Sequence, residues 1–349
     1  MARTTSGRRP TVKDVAASAG VSATTVSRVL GGSYPVSAST RNRVLRAVRD
    51  LDYVINAQAR ALVGGSTRTV AFIVRDLVGP LFAYIGQGVE LQATAEGRVC
   101  LVCTHHGDPD RELELIELMR QQGAEAVVLV GGGLRTEAHV RRMAEIAHSL
   151  DRAGSRLVLC GRPPIGADVP ATVVEYDNEG GAFAVTDYLI SLGHRRIAFV
   201  GAGEPEHTTT GARLSGFLDA HATRGLEVDQ ELVVSGNYDR ESGYRQTKML
   251  LDRGAGMTAV VAVTDVVASG VLAALRDAGV RVPEDVSVVG YDDIPLSGDL
   301  DLTTVHLPHE ELGRAAVRLA LHRDEYALDQ HLKLGTHVVI RSSTAKRES

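Results

Sequence analysis

Arg28 and Thr24 carry the side chains best suited to contact the bases of a DNA duplex. An arginine can donate two hydrogen bonds to guanine O6 and N7, and a threonine can offer a hydroxyl or a methyl group to a neighbouring base edge. The two residues are four positions apart, so they share one face of a helix. Ala23 lies on the same face and offers only apolar contact. These side chains predict a base-contacting helix surface.

Residues 11–30, TVKDVAASAGVSATTVSRVL, have the spacing of a helix-turn-helix. Thr11 can cap the first helix, and Asp14 completes a capping box. Gly20 supplies the tight or left-handed backbone of the turn, and Ser22 caps the second helix. In that second helix Val26, Val29 and Leu30 share the packing arc, whereas Ala23, Thr24, Ser27 and Arg28 share the opposite arc.

The distribution of charge favours DNA binding over the alternative, an ordinary helical hairpin with a solvated polar face. Residues 1–63 contain ten Lys or Arg and three acids, a balance of +7. The whole chain carries −5, so residues 64–349 carry −12. A basic head on an acidic body favours a polyanionic partner for the head alone.

A third helix is predicted from Ser37, which can cap it, to about residue 51. Its apolar residues are spaced for packing, and its arginines remain outside. Ser37 and Thr40 at the helix start are candidates to hold a phosphate. Residues 56–63 form a helix-prone stretch that is too short to be stable alone. Residues 64–66, two glycines and a serine, are typical of a linker.

Length and composition indicate two or three soluble globular domains. The chain has 349 residues, of which 44% are hydrophobic. Its aliphatic runs are short and interrupted, so we predict no membrane span. The three cysteines and the lack of an apolar segment after the first basic residues lead us to expect a cytoplasmic protein, associated with the nucleoid when bound to DNA.

Cys100 and Cys103 form a C-x-x-C that is followed by His105 and His106, which raises the possibility of a metal or redox site. Both cysteines lie in an apolar run that predicts a buried strand. Residues three apart on a strand point to opposite faces, so the two thiols are badly placed to hold one ion. We therefore predict neither a metal nor a cofactor.

The body alternates apolar strands with amphipathic helices, which is typical of parallel doubly wound sheets. A first series of strands is predicted at 70–74, 99–103, 126–130 and 157–160. A second follows at 172–175, 197–200, 232–234, 259–263 and 286–290. Two such sheets side by side predict a two-lobed α/β body with a ligand cleft between the lobes, beyond the carboxyl ends of the strands.

An enzyme on this scaffold is the first competing hypothesis. The sequence contains no G-x-x-x-x-G-K-[ST], G-x-G-x-x-G or G-x-S-x-G motif. Asp292 and Asp293 form a carboxylate pair, but adjacent side chains diverge and no nucleophile lies beside them in sequence. Turnover in a substrate screen would reveal an enzyme. A second alternative, an exported solute-binding protein with a vestigial headpiece, would need a signal segment.

Several motifs, in order and spacing, resemble the lactose-repressor and purine-repressor (LacI/GalR) family of bacterial transcription regulators over nearly the full chain. They are VKDVAASAGVSATTVSRVL, VSASTRNRVLRAV, NAQARAL, LGHRRIAFVG, RLSGF, ESGY, VPEDVSVVGYDDIPL and LTTVHLP. The resemblance implies a homodimer that represses transcription by binding a near-palindromic double-stranded DNA operator, with an affinity controlled allosterically by a small effector.

The resemblance also implies roles for individual headpiece residues. By position, Ala23, Thr24 and Arg28 match base-contacting residues. The stretch 56–63 resembles a hinge helix that folds only on the operator and enters the minor groove, with Leu62 as the wedge between the central base pairs. Ala59 and Arg60 match its companions, and residues near phosphates are Ser22, Ser37, Thr40, Tyr53 and Asn56.

In the body, the resemblance implies a periplasmic sugar-binding fold with a small polar effector, such as a sugar, a sugar derivative or a nucleoside-like molecule. Arg213 and Asp292 match common effector contacts, and Tyr238 matches an aromatic stacking position. For Leu81, Phe82 and Tyr238, ordinary packing is the alternative. The complete set of expected effector contacts is Leu81, Phe82, His207, Thr209, Arg213, Tyr238, Thr264 and Asp292.

Three departures from the family pattern qualify these expectations. Gly161 and Thr264 stand where many sugar-binding members have aspartate and asparagine, which weakens the case for a simple hexose. Val63 stands where relatives often have a basic or small residue. After residues 338–340 the chain lacks leucine heptads, so a dimer is expected rather than a tetramer.

The expected domain boundaries follow from this assignment. Residues 1–63 form the headpiece and hinge helix. Residues 64–161 and 293–323 form the first lobe, and residues 162–292 and 324–341 form the second. Residues 342–349 form a short tail.

Overall fold

The computed structural model describes residues 10–31, 36–53, 68–203, 207–323, 325 and 330–347. The predicted residues Asn56, Ala59, Arg60 and Leu62 lie outside these ranges. Within the described ranges, no helix has both the length and the apolar character that crossing a bilayer requires.

The headpiece consists of three helices, α1 (Val12–Ala19), α2 (Ala23–Gly31) and α3 (Ala38–Asp50). The predicted capping box is present, since the Thr11 hydroxyl accepts from the Asp14 backbone N–H and the Asp14 carboxylate accepts from the Thr11 N–H. Gly20 ends α1 with φ +63°, the left-handed conformation that a residue without a Cβ adopts at least cost. The predicted helix-turn-helix is confirmed.

The headpiece has its own small core. Val15, Val26 and Val44, one from each helix, are fully buried. Tyr53 packs against them after α3. The valines share one side of each helix because apolar residues recur at the helical period.

The first lobe is built on a six-stranded parallel sheet with the order β11-β5-β4-β3-β1-β2. Its strands are β1 (Thr69–Val74), β2 (Val99–Thr104), β3 (Ala126–Val130), β4 (Arg156–Cys160), β5 (Ala171–Tyr176) and β11 (His331–Leu334). Its helices are α4 (Pro80–Ala95), α5 (Pro109–Gln121), α6 (Glu137–Arg152) and α12 (His309–Leu321).

The second lobe contains a four-stranded parallel sheet with the order β7-β6-β8-β9 and a two-stranded antiparallel sheet. The strands of the larger sheet are β6 (Ile197–Ala202), β7 (Val233–Ser235), β8 (Ala259–Ala262) and β9 (Ser287–Val289), and β10 (Thr304–His306) pairs with β12 (His337–Val339). The helices are α7 (Asn178–Ser191), α8 (Thr208–Thr223), α9 (Arg240–Asp252), α10 (Asp265–Asp277) and α11 (Pro295–Asp299).

Helices cover the sheets because the strands are apolar on both faces. Val128 and Val158 at the centre of the first sheet, and Val200 and Val260 in the second, are fully buried. The helices α4 and α12 lie so close that a Cβ on Gly88 would be 2.2 Å from the Glu310 carbonyl oxygen. Glycine at this position therefore permits the contact that holds α12 on the first lobe.

Three predicted strand assignments need correction. Residues 172–175 were expected in the second lobe, but β5 pairs with β4 and so belongs to the first sheet. Residues 331–334 also join the first sheet, through β5, instead of the second lobe. Residues 304–306 were expected in the first lobe, but β10 pairs with β12 and packs against α7. Buried parallel strands all have similar apolar sequences, so the sequence does not indicate which sheet a strand joins.

Candidate DNA-binding surface and effector cleft

One face of α2 is exposed while the opposite face packs in the headpiece. Val26 is fully buried, whereas Ala23, Thr24 and Arg28 are exposed and Ser27 is half-buried. The exposed Ser22 hydroxyl accepts from the Thr25 backbone N–H at 3.1 Å and so caps the helix. The structure therefore brings the predicted base-contacting side chains onto one exposed surface.

The start and the exposed side of α3 carry further polar and basic side chains. The Ser37 hydroxyl accepts from the Thr40 backbone N–H at 3.3 Å. Ser37 is exposed and Thr40 is half-buried. The outer face carries four exposed arginines, Arg41, Arg43, Arg46 and Arg49. This face combines positive charge with the N–H groups of a helix start, which suits a phosphate backbone.

Tyr53 differs from the other predicted phosphate contacts. It is 9% exposed and belongs to the headpiece core. Its ring therefore stabilises the packing of the three helices, and a phosphate contact by its hydroxyl stays a prediction.

A cleft with a volume of 710 Å³ lies between the lobes. Both lobes line it with residues that follow the carboxyl ends of strands or begin helices, as expected for such sheets. The structure brings all eight predicted effector residues to this cleft: Leu81, Phe82, His207, Thr209, Arg213, Tyr238, Thr264 and Asp292.

A buried ion pair between Arg213 and Asp292 lies on the second-lobe side of the cleft. Arg213 Nη2 donates to Asp292 Oδ1 at 3.1 Å, and both side chains are almost fully buried. Arg213 Nε also donates to Asn178 Oδ1 at 2.9 Å. The ring of Tyr291 lies 3.7 Å from the Arg213 guanidinium carbon. The guanidinium is thus held in one orientation by separate segments of the second lobe, among them Asn178 and residues 291–292.

Burial raises the pKa of Asp292 to about 6, with Arg213 opposing the shift. Asp292 therefore remains ionised at neutral pH. Behind it, burial and the charge of Asp292 raise the pKa of Asp265 to about 8. The Asp265 carboxyl accepts from the Thr304 hydroxyl at 2.6 Å and the Ile294 N–H at 3.0 Å. Asp265 is thus a structural group that joins α10 to the strands beside the cleft.

Asp293 points away from the cleft, as expected for the neighbour of Asp292. Its carboxylate accepts from Arg341 at 2.8 Å and from Ser297 at 3.0 Å. Asp292 and Asp293 have φ of 112° and 56°, a region that non-glycine residues rarely adopt. This strained turn directs one carboxylate to Arg213 and the other to Arg341.

Some polar atoms of the second-lobe wall have hydrogen-bond partners, whereas others have none among the described residues. The Tyr238 hydroxyl lies 2.7 Å from the Thr210 hydroxyl, and Thr264 caps α10 by accepting from the Val267 N–H. In contrast, Thr209 Oγ1 and His207 Nδ1 are buried and have no hydrogen-bond partner among the described residues. Buried polar atoms are nearly always paired, so these two atoms mark places for a ligand or water.

The two lobes touch beside these unpaired atoms. The Gly133 N–H donates to the Thr208 hydroxyl at 3.0 Å, and the Thr208 N–H donates to the Gly133 carbonyl at 3.1 Å. Leu134 and His207 form an antiparallel β-bridge. These contacts join the carboxyl end of β3 to the start of α8. We call residues 131–133 the glycine loop.

A second contact between the lobes lies at the start of α12. His309 Nε2 is 2.7 Å from the Asp292 carbonyl oxygen, and the His309 ring stacks on Tyr84 of α4. Burial lowers the pKa of His309 to about 4, so its imidazole is neutral at pH 7.

The sequence prediction missed a buried ionic cluster on the first-lobe side of the cleft. Glu112 and Arg162 are paired by two hydrogen bonds of 2.9 and 2.5 Å. His105 and His139 lie 3.6 and 3.7 Å from the Glu112 carboxylate. Arg162 also donates to the Gly131 carbonyl at 2.6 Å, so the cluster supports the glycine loop.

Two sequence positions could have indicated this cluster. His105 directly follows β2, at the strand end where ligand contacts collect, but we considered it only as a metal ligand. Arg162 follows Gly161, one of the departures from the family pattern. Glu112 had no sequence signal, because its partner lies 50 residues away. Arg75 and Asp76 after β1, and Asn237 and Asp239 after β7, also line the cleft.

Charges that line the cleft are balanced within the protein. Asp292 pairs with Arg213, Glu112 pairs with Arg162, and Asp239 caps α9 by accepting from the Ser242 N–H. Asp76 accepts from two backbone N–H groups and lies near Arg75. Among the described residues, no group of three or more His, Cys, Asp or Glu is placed to hold a metal ion. The arrangement suits a neutral ligand rich in hydroxyl groups.

Cys100 and Cys103 both lie in β2, which confirms a strand at this position, but the prediction that the strand is buried is wrong: β2 is at the edge of the sheet, and Val99, Leu101 and Val102 are exposed. Burial raises the pKa of the Cys100 thiol to about 11 and raises that of Cys103 as well. Both sulfurs are therefore protonated thiols at neutral pH.

Comparisons with known proteins connect these two sites. Residues 11–56 match the model of bacterial regulatory proteins, lacI family, and residues 186–344 match that of a periplasmic binding protein-like domain. The HTH-type transcriptional regulator CelR of Thermobifida fusca is 37% identical over 345 residues, covering 96% of this chain and 98% of CelR.

Two further similarities extend over the same length. The HTH-type transcriptional repressor CytR of Escherichia coli (strain K12) is 32% identical over 343 residues, covering 96% of each chain. A solved structure of a transcriptional regulator CelR–cellobiose complex is 34% identical, with a TM-score of 0.68, and the match covers 96% of this chain and 100% of that one. These relatives are transcription regulators and not enzymes.

Proposed function

Because the chain belongs to the LacI family of bacterial transcription regulators, we propose that it represses transcription as a homodimer that binds a palindromic operator. A small polar effector in the interlobe cleft controls its affinity for that operator. The observation that carries this proposal is the presence, in one chain, of an exposed base-contacting helix and a ligand-sized cleft between two lobes. The operator places the site of action in the cytoplasm.

The headpiece supports direct contact with DNA. Arg28 and Thr24 are exposed on α2, and α3 adds four exposed arginines to the same headpiece. Base contacts by the first pair give sequence preference, whereas the arginines bind phosphates and make the affinity depend strongly on salt. Ser22, Ser37 and Thr40 are placed at helix starts, where they can accompany these phosphate contacts.

The outer edge of the first sheet supports the homodimer. β2 is an edge strand, and Val99, Leu101 and Val102 are 62%, 41% and 51% exposed. An apolar edge strand in water favours association with another surface, and a second copy offers the same surface in a symmetric pair. Two headpieces joined in this way match two half-sites of a palindrome.

The effector acts by favouring one arrangement of the lobes. Contacts of the glycine loop with α8, and of His309 with Asp292, depend on how the lobes are oriented. A ligand that binds one orientation more tightly shifts the population toward it, and DNA binding must in turn change effector affinity by the same factor. Residues 56–63, including Ala59, Arg60 and Leu62, are the proposed hinge helix that transmits this change to the minor groove.

The test is fluorescence anisotropy with palindromic sites from the region upstream of its own gene. Arg28→Ala should weaken binding by about 1–3 kcal/mol, the usual contribution of a bidentate base contact. Leu62→Ala should also weaken it, and higher salt should weaken it steeply. Arg276→Ala, which removes an exposed arginine of the second lobe, is the matched control. Unchanged affinity for both Arg28→Ala and Leu62→Ala would refute the assigned contacts.

A further inference from the structure

The glycine loop of the first lobe lies among polar side chains from both lobes that line the cleft. On the first-lobe side, His105 and His139 lie beside Glu112, whose partner Arg162 donates to the glycine loop. On the second-lobe side, His207 and Thr209 lie next to the loop. We propose that this region is a second subsite, and that the effector is a neutral oligosaccharide whose second ring binds there. The proposal rests on the proposed function, because it specifies the ligand of the same cleft.

The size of the cleft supports a ligand of more than one ring. A hexose has twelve non-hydrogen atoms, and bonded atoms each occupy less than the ~30 Å³ of a molecule in liquid water, so a hexose fills less than about 360 Å³. The cleft has 710 Å³, about twice that volume. A side cavity of 290 Å³ shares Gly133, Leu134 and His139 with the cleft. The available space therefore extends past one ring, on the side of the glycine loop.

Unpaired polar atoms show where the second ring would bind. Thr209 is 8% exposed, and its Oγ1 has no partner among the described residues although it lies beside Gly132, where a Cβ would be 2.9 Å away. His207 Nδ1 is likewise buried and unpaired in the described part of the chain. A hydroxyl oxygen and an imidazole nitrogen are suitable partners for sugar hydroxyls, which both donate and accept.

The charge state of the subsite favours a neutral ligand. The charges of Glu112 and Arg162 neutralise each other, and Arg162 Nε donates a hydrogen bond to the Gly131 carbonyl. Burial lowers the pKa of His105 and His139, and the nearby Glu112 offsets this only in part, so both rings are neutral at pH 7. Among the described residues of this subsite, a phosphate or carboxylate would find no buried cation without a partner, whereas hydroxyl groups can bond to neutral imidazoles.

Aromatic side chains complete the sites for sugar rings. Phe82 packs so closely on the glycine loop that a Cβ on Gly131 would lie 2.9 Å from its ring. Tyr238 stands on the second-lobe wall, where its hydroxyl is held by Thr210. Ring faces of this kind pack against the apolar C–H faces of sugars, so the two aromatics can serve neighbouring rings along the cleft.

The experiment compares single sugars with their oligomers on the full-length protein. Glucose, cellobiose and cellotriose form one series, and xylose with xylobiose and mannose with mannobiose form two others. Thermal shift identifies the ligands, and calorimetry measures their affinities. We expect at least one disaccharide to bind at least 30-fold more tightly than its monosaccharide. Equal affinities of the two, or no binding of any oligosaccharide in the panel, would overturn the proposal.

Variants locate the second ring. Thr209→Val keeps the shape of the side chain and removes the unpaired hydroxyl, so it should lower disaccharide affinity at least fivefold and change monosaccharide affinity less than twofold. Thr209→Ser should restore most of the loss. Thr186→Val is the matched control, because Thr186 Oγ1 is also buried and unpaired in the described chain but lies in α7, outside the cleft lining. Equal losses for both sugars would place Thr209 beside the ring that a monosaccharide also occupies, which would contradict the assignment.

A variant of the first lobe gives a second readout. His105→Ala should reduce disaccharide affinity about tenfold, whereas His148→Ala, on the exposed side of α6, should not.

Melting temperatures without ligand show whether each variant is folded, and the comparison of sugars on the parent protein needs no variant. Operator binding is measured on the same samples. If the operator is bound but only nucleosides or sugar acids bind the cleft, the subsite is wrong and the regulator remains; if no operator is bound, the proposed function fails.

Discussion

The headpiece and the cleft hold their functional side chains in opposite ways. In the headpiece, Ala23, Thr24 and Arg28 are exposed on a single helix and lie within six residues of sequence. In the cleft, Arg213 and Asp292 are almost fully buried and come from positions 79 residues apart. A surface formed by one helix suits a large external partner such as a duplex. An enclosed site formed by many segments suits a small ligand and responds to the arrangement of the whole body.

The two regions also differ in how they balance charge. The outer face of α3 gathers exposed arginines, and residues 1–63 carry +7. The charged side chains that line the cleft either form ion pairs within the protein or cap the start of a helix. The charge of the headpiece therefore suits long-range attraction of a polyanion, whereas the cleft suits a ligand recognised by hydrogen-bond geometry and shape.

The largest expected effect that separates the two regions comes from Arg213→Ala. It leaves Asp292 buried without its partner, so the free energy of unfolding of the body should fall by about 3–5 kcal/mol. Urea unfolding followed by circular dichroism measures this change. Adding Asp292→Asn should recover part of the loss because the lone carboxylate is then removed. A loss that the double variant deepens would show that the two side chains do not act as a pair.

Protonation of His309 on acidification should lower the stability of the body and leave that of the headpiece unchanged. The pKa of His309 is lowered from 6.5 to about 4, mainly by burial, with His306 adding to the shift. At His309 the unfolded chain therefore binds a proton before the folded chain does, so the contribution of this residue to the free energy of unfolding falls as pH drops from 6.5 toward 4. Burial raises the pKa of Asp292 and Asp265, so these two groups contribute with the opposite sign, and the His309 contribution is measured as the difference between the parent and a variant without the imidazole. His309 alone should cost about 2 kcal/mol between pH 7 and pH 5.

Urea unfolding across this pH range checks the prediction. Burial lowers the pKa of His194 and His221 too, so their contributions have the same sign. His309→Gln keeps an amide N–H that can donate to the Asp292 carbonyl but has no imidazole to protonate, so the difference in free energy of unfolding between parent and variant should change by about 2 kcal/mol between pH 7 and pH 5. Residues 1–63 contain no histidine, so the headpiece transition should not move in this range. An equally steep dependence in the variant would contradict the assignment to His309.

The smallest of the three effects is expected for Thr11→Ala, which acts on the headpiece alone. It removes the hydroxyl that caps α1, and loss of such a cap costs about 1 kcal/mol. The headpiece melting temperature and operator affinity should fall, while effector affinity measured by calorimetry stays the same. Thr223→Ala, at the exposed end of α8, is the control. A matching loss of effector affinity would indicate that the two regions are not separable in this way.

The same difference explains what the sequence could predict. The headpiece helices and their caps depend on residues three or four apart, so the helical period indicated α1, α2 and the exposed Arg28 directly. The alternation of strands and helices predicted the α/β body for the same reason. The site residues of the hinge, such as Leu62, stay predictions because they lie outside the described residues.

Features that depend on distant contacts were harder to predict. The lobe that receives β5, β10 or β11 is decided by hydrogen bonds between strands whose sequences are equally apolar. The pairing of Glu112 with Arg162 joins α5 to the end of β4, and neither residue carries a motif. The burial of Tyr53 likewise depends on the packing of three helices, so its position in the family pattern gave a candidate phosphate contact but not its place in the core.

In the described chain, three short connections link the lobes: one after β5, one between β10 and α12, and one between β11 and β12. Because three connections of the chain join the lobes, the lobes cannot separate, and the main relative motion they allow is a small rotation about one axis. Because β1 follows the headpiece and belongs to the first lobe, in the proposed dimer occupancy of the cleft would reach the DNA as a change of angle between the two first lobes. The proposed signal is thus a twist between the lobes, and a substitution that stiffens any one of the three connections should reduce the effect of the effector on operator affinity without reducing effector affinity.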